Sequence, residues 1–502
     1  MEPSPKVLIL ALDAVEPDLL LRWAGEGRLP AVGRLLALGV FSKTENPPGL
    51  SSATWPTLIT GVTAARHGRY YFSQLRPGSY RLRLVPRHEL RVPPLWSRLS
   101  DAGKRVAVID IPKTAPIEGL NGLQICDWAN HDGDIVDGCQ TWPGRLRSEL
   151  DRRYGPDPFG HRSFGIRGPG DFQRFVRGLC ANVERKARLV LDVMAQEAWD
   201  LLLAGWDDAH WAGHFAWRLH DRAHPDYDPV LAAEVGDPLE LVLSALDGCI
   251  SRILERAGPR TTVILLSSHG MGPGYFTREL LEPILRRLEA TPGTRSSIYG
   301  RLRVAWDTLP QQIQRPLART KDLFREHLLE NDRARRLCFA LPASNDGGSI
   351  RLNVMGREPQ GRIRPGADYD AHCRWLTDEL KAVVNAETGE PVVREVYRPR
   401  DFMRGEMEDV LPDLTIEWRA DSPIRRIRSP RIGEIPVSLS PWRSAEHLPQ
   451  GLIVGRGPGI SPGPITTEVR AQDLAPTVGR LLGVPMPDLD GTPIEGMGPA
   501  GS

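Results

Sequence analysis

The stretch "KVLILALD", residues 6–13, constrains the fold more than any other. From Val7 to Leu12 it offers no polar face, the pattern of a strand covered on both sides, and such strands belong to parallel sheets flanked by helices. The run ends on Asp13, which places a carboxylate at the C-terminal edge of a central strand. Open α/β sheets bind their ligands along that edge.

The same unit recurs. "EPDLLLRWAGEGRLPAVGRLLALG" reads as helix, turn and helix, "PPLWSRLSDAGKRVAVIDIP" as helix and strand, and "ERKARLVLDVMAQEAWDLLLAGWDD" as a helix running into a strand. "LELVLSALDGCISRILERAG" followed by "TTVILLSSHGMG", and later "GLIVGRG" followed by "AQDLAPTVGRLLG", continue the alternation. The expected fold is α/β, a doubly wound, mainly parallel sheet. Between 276 and 345 the rhythm fails, and charged, proline-interrupted helical segments predict an insertion or lid. Residues 1–275 and 346–502 are then one discontinuous catalytic domain.

Charge narrows the partners. Lys and Arg number 64 against 63 Asp and Glu in 502 residues, a net charge of +1, so no global field attracts a nucleic-acid polymer or an anionic membrane. The six cysteines form no CxxC pair and read as reduced, structural thiols. The first residues carry no basic leader or small-residue cleavage site, and no apolar run reaches the roughly 18 residues of a membrane helix. A cytoplasmic protein is expected, with its oligomeric state left open.

Polar residues gather where strands end. Besides Asp13 these are "GLSSATWPTLITGVTAARHG" (49–68), "GWDDAHWAGH" (205–214) and "SSHGMG" (267–272), with "SAEHLPQG" (444–451) just ahead of a strand. His210 and His214 are four apart and share one face of any helix opened there. With His447 they make three neutral imidazoles, a set that suits zinc and leaves one position open. Asp13 and His269 can form a second cation position, with a serine or threonine hydroxyl between the two cations. Bridging cations lower a hydroxyl's pKa and stabilise both oxygens of an in-line displacement. Taken singly, each residue has a plainer reading: Asp13, Ser51, Ser52 and Thr54 as helix caps, the histidines as ring packing beside Trp211 and Trp217.

The ordered set "LALDA", "SSATWPTLITGVTAARHG", "HWAGH", "SHGM" and "AEHLPQGLIVGRGPGI", closed by "DLAPTVGRLLGVPMPDLDGTPI", resembles the type I phosphodiesterase and nucleotide pyrophosphatase branch of the alkaline phosphatase superfamily. The resemblance spans residues 6–495 apart from the insertion. It implies a metal-dependent phosphate ester hydrolase, of phosphodiesterase or nucleotide pyrophosphatase type, acting on a small molecule through a phosphoseryl or nucleotidylseryl intermediate. Counting back from Thr60-Gly61 assigns the nucleophile to Ser51, ahead of Ser52 and Thr54. Asp13, Ser51 and His269 would hold one cation, and His210, His214 and His447 the other. Zinc is the expected ion, with manganese or magnesium as alternatives. A sulfatase would need a Cys or Ser leading a C/S-x-P-x-R segment, which is absent.

Two ligand positions depart from the family pattern: His210 and Ser268 stand where the resemblance implies aspartates. Losing two carboxylates leaves a two-cation site at about +2, and unit charges about 4 Å apart interact by roughly 4 kcal/mol even at an effective dielectric of 20. Asp207 and Asp208 are candidates to compensate. Three outcomes follow: two cations balanced by a polyanionic substrate, one cation on the three histidines, or a metal-poor, non-catalytic binding protein. A phosphomonoesterase or a biosynthetic phosphoryl transferase is the alternative among enzymes. His67, Asp127 and His131 (in "CDWANHDG"), Asn345 and Arg351 are further candidates for substrate contact, Arg351 because a guanidinium fork fits phosphoryl oxygens.

Overall fold

A computed structural model describes residues 4–129, 138–155, 166, 168–276, 278–290, 329–344, 346–419, 421–438 and 443–498. The chain divides into two compact units, one formed by 1–69, 86–275 and 439–502, the other by 70–85 and 276–438.

The first unit is built on one large sheet and a separate two-stranded one. Its strands are β1 (Val7–Leu12), β2 (Val40–Glu45), β3 (Val106–Ile109), β4 (Gly122–Cys126), β5 (Leu201–Trp206), β6 (Thr262–Ser267), β7 (Gly270–Pro273), β8 (Ala445–Leu448) and β9 (Gly451–Arg456). β7 and β8 pair with each other, and the others lie in the order β2, β9, β6, β1, β5, β3, β4, with Gln140–Trp142 beside β4 and Gly463–Pro464 and Val469–Arg470 beside β2. The centre from β6 to β4 is parallel, as expected, while β9 runs antiparallel to both β6 and β2. Leu8, Leu10 and Leu12 enter one apolar cluster and Val7, Ile9 and Ala11 the other, so both faces of β1 are covered. Helices α1 (Pro17–Gly25), α2 (Thr54–Thr60), α3 (Pro169–Gln196), α4 (Asp208–His220), α5 (Pro238–Ala257) and α6 (Leu474–Leu482) flank the sheet. α1 and α5 open on a capping carboxylate, Glu16 or Asp237, followed by proline at the first helical position, where the missing N–H costs nothing.

Register fixes the functional edge. Leu12 lies opposite Trp206 on one side and Ser267 on the other, so Asp13, Asp207 and Ser268 leave the sheet side by side. Among the described residues the non-glycine positions with positive φ are Ala14, Asp110, Lys113 and Asp127, each just beyond β1, β3 or β4. Left-handed backbone at non-glycine residues is strained and gathers at functional sites.

The second unit carries an antiparallel sheet of Cys338–Leu341, Gly347–Leu352, Leu414–Trp418 and Val393–Tyr397, in that order, with a core that includes Ile350, Leu376, Leu380 and Ile416. The insertion expected over 276–345 falls in this unit, which also takes in 346–438 and 70–85; residues 291–328, the bulk of its expected helical portion, lie outside the described residues. All six cysteines are unpaired thiols. Among the described residues no helix is long and apolar enough to cross a membrane.

Candidate metal centre

α4 begins directly after β5, so His210 and His214 stand over the sheet edge on one helical face. Gly213 lets this helix close on its neighbour: a Cβ there would fall 2.8 Å from Met271 Cγ. Met271 lies opposite His447 in the β7–β8 pair, which brings the third histidine in. The two parts are stitched together, Ser444 N–H donating to His214 O at 2.7 Å and His214 Nδ1 donating to Ala445 O at 2.7 Å.

The three Nε2 atoms converge. His210 is 2.7 Å from His214, His214 is 3.2 Å from His447, and His447 is 3.1 Å from His210. The outer nitrogens of the α4 pair are committed elsewhere, His210 Nδ1 to Asp13 Oδ2 at 2.7 Å and His214 Nδ1 to a carbonyl, so their Nε2 lone pairs face inward. Burial pushes the pKa of His214 and His447 well below the ordinary value, and neighbouring histidines and Arg443 push the same way. Neutral rings whose lone pairs converge repel one another unless a donor hydrogen or a cation lies between them. Nitrogens about 2.0–2.1 Å from a tetrahedral zinc are themselves about 3.3 Å apart, so this donor set fits one such ion. His210 and His447 are half-buried, which keeps the cluster open to a ligand.

Asp13 stands differently from the expectation. Its Oδ1 accepts from Trp55 Nε1 and from Ser268 Oγ, both at 2.7 Å, while Oδ2 takes His210 Nδ1. Burial alone would raise its pKa; His210, His269 and the Ser268 hydroxyl outweigh it and hold the carboxyl well below the usual range. The Ser268 hydroxyl is itself engaged, accepting from Ala14 N–H at 3.2 Å. His269 is buried, its pKa driven down to about 4 by burial against the pull of Asp13, with Nε2 3.9 Å from Asp13 Oδ1. Three of the roughly four acceptor positions of the Asp13 carboxylate are thus engaged by hydrogen bonds, two on Oδ1 and one on Oδ2. Through Oδ2 it orients the His210 ring, as an outer carboxylate orients a metal-binding histidine.

Ser51 opens a 3-10 turn, Ser51–Ala53, that runs into α2, and Gly61, at φ 70°, ends the helix in the left-handed region. Ser51 is buried at 7% exposure. Trp55, four residues on, donates its indole N–H to Asp13 Oδ1, which ties this segment to the Asp13 corner. Lys113 Nζ donates to Ser52 O at 2.6 Å, tying the segment to the loop after β3.

The remaining candidates sort by their partners. Thr54 is fully buried. His67 is fully buried too: Nδ1 accepts from Arg69 N–H and Nε2 meets Thr57 Oγ1, each at 3.1 Å, while burial, Arg69 and Lys113 push its pKa down to about 3, so it is a neutral strut. Asp207 accepts from Trp211 Nε1 at 3.1 Å and Asp208 from Asn182 Nδ2 at 2.9 Å. Asp127 is paired with Arg87. Arg351, in the second unit, is buried against Glu358 and the Leu411 carbonyl, its fork already used. His131 and Asn345 lie outside the described residues.

Three residues of this edge escaped sequence reasoning: Trp55, Lys113 and Arg443. Arg443 Nη2 donates to His214 Nε2 at 2.7 Å, and its Nε to Glu446 Oε1 at 2.8 Å. Their signals were faint: a tryptophan one turn after the nucleophile segment, a lone lysine after a strand, an arginine four residues before a candidate ligand.

An α/β sheet with histidines, an aspartate and a buried serine gathered at its carboxyl edge defines a phosphoric ester hydrolase when joined to what the sequence matches. The family model for type I phosphodiesterase / nucleotide pyrophosphatase covers residues 7–417, and the chain belongs to that family. Comparison with curated proteins finds no match. Among solved structures, phosphonoacetate hydrolase from Sinorhizobium meliloti, in complex with phosphonoformate, is 16% identical, with 96% of this chain and 97% of that one covered at a TM-score of 0.51. Murine ectonucleotide pyrophosphatase / phosphodiesterase 5, in complex with AMP, is 12% identical, with 97% of each chain covered at a TM-score of 0.49. At these identities the likeness is one of fold.

Proposed function

We propose that this enzyme hydrolyses phosphate esters through Ser51, at a centre built for one divalent cation held by His210, His214 and His447. The convergence of three Nε2 atoms within 2.7 to 3.2 Å of one another carries this reading. Zinc matches the all-imidazole donor set. Such an ion supplies charge neutralisation at the phosphoryl oxygens and lowers the pKa of a nearby hydroxyl.

The chain's own residues do the rest. Asp13 fixes the His210 ring through Nδ1, and Trp55 and Ser268 fix Asp13 in turn. Lys113 holds the Ser52 carbonyl and with it the serine turn. Ser51 Oγ bonds to phosphorus as the bond from phosphorus to the leaving oxygen breaks, the serine proton ending on that oxygen as the alcohol departs. Water then displaces the serine in a second, reversed half.

Family membership favours a diester or pyrophosphate substrate. A phosphomonoester is the alternative: a divalent cation outweighs ionised Asp13 by one unit even with Arg443 balanced by Glu446, and such a positive site attracts phosphate anions of either kind. Aryl phosphomonoesters, phosphodiesters, dinucleotides and sulfates, assayed with Zn, Mn or Mg after chelation, separate the cases. Zinc is expected to restore turnover of phosphate esters, and Ser51→Ala to abolish it without loss of bound zinc. Preference for sulfate, or full activity of Ser51→Ala, would overturn the reading.

A further inference from the structure

Arg443 is held more firmly than a surface arginine. Its backbone neighbours are pinned to α4, Ser444 N–H and Ser444 Oγ both donating to His214 O. Its Nε is fixed by Glu446, a carboxylate with only 4% of its side chain exposed, while about a third of the arginine itself remains open, at 31%. That clamp aims Nη2 into the histidine cluster at His214 Nε2, and Nη1 has no hydrogen bond among the described residues. The charge is felt at both His214 and His447.

A guanidinium has no lone pair and cannot ligate a cation. Without an ion, its N–H caps the inward lone pair of His214. With a divalent ion on the three histidines, the Arg443 guanidinium faces it across a few ångströms; Glu446 offsets part of that charge from the Nε side, and an anion between the two cations offsets the rest. A phosphoryl group meets that demand, one oxygen toward the cation and another toward the planar fork. We propose that Arg443 binds the phosphoryl oxygens of the substrate beside the cation position, a role that rests on the single-cation reading above.

Inorganic phosphate, titrated calorimetrically into zinc-loaded and into chelator-treated protein, with zinc per chain counted separately, tests this. Arg443→Ala is expected to keep the zinc of the unsubstituted protein and to lose phosphate affinity by about tenfold to a hundredfold, the loss expected for a charge-assisted hydrogen-bond pair. Arg443→Gln, which retains an N–H for Glu446, is expected to show the same loss and serves if the alanine variant does not fold. Unchanged phosphate affinity in a folded variant overturns the proposal. If the unsubstituted protein binds no zinc, the single-cation reading falls, and the chelator-treated comparison still decides Arg443 by the same criterion.

Discussion

Two corners of one sheet edge, a few residues apart, have opposite chemistry. At the first, His210, His214 and His447 turn their Nε2 atoms toward a common point. At the second, Trp55, Ser268 and His210 turn N–H and O–H donors toward Asp13. The resemblance to the family implies aspartates at 210 and 268, and both departures replace an acceptor with a donor. The pair of changes is coherent. A carboxylate beside Asp13 would need a cation between them, whereas a ring N–H and a hydroxyl satisfy Asp13 directly. On the proposed reading, one corner keeps a cation position while the other becomes the scaffold that orients its histidine. Neutral ligands with an outer carboxylate still hold zinc well.

That contrast can be broken by substitution. The largest effect is expected at Ser51, the only nucleophile in this account: Ser51→Ala should lower kcat/KM for the preferred phosphate ester at least about a thousandfold, as loss of a covalent nucleophile does, with zinc content unchanged. Next is the first corner itself. His214→Ala removes a direct ligand and should weaken zinc affinity by more than the roughly hundredfold ceiling for loss of an outer partner, read by competition with a chromogenic chelator. Asp13→Asn probes the second corner: zinc affinity should fall about tenfold to a hundredfold while the count stays at one per chain. Were Asp13 a ligand, the count itself would drop. Ser268→Ala should have the smallest effect, about 1–3 kcal/mol of stability in chemical denaturation, from the lost donor to Asp13 and the orphaned Ala14 N–H, with no change in bound zinc.

Much of this was legible before any coordinates. β1 ends on Asp13 because an unbroken apolar run needs cover on both faces, and the i, i+4 spacing put His210 and His214 on one face as soon as α4 formed. His447 was findable through the order of motifs, but its delivery depends on the β7–β8 pairing, and pairing between segments this far apart leaves no local trace. The hydrogen-bond partners of Asp13 were hidden for a related reason. Spacing says which residue types reach an edge, whereas which lone pair is spent depends on donors from Trp55, His210 and Ser268, three separate elements. The same limit hid Lys113 and Arg443, long side chains whose heads lie far from their backbones. Residues 346–438 read as part of the catalytic domain because a buried strand looks alike in either unit, and their antiparallel partners are non-local.

Anomalous diffraction at the zinc edge from zinc-saturated crystals bears most directly on the contrast between the corners. One peak is expected, about 2.0–2.1 Å from Nε2 of His210, His214 and His447. A second peak between Asp13 and His269, or no peak at the three histidines, would contradict it.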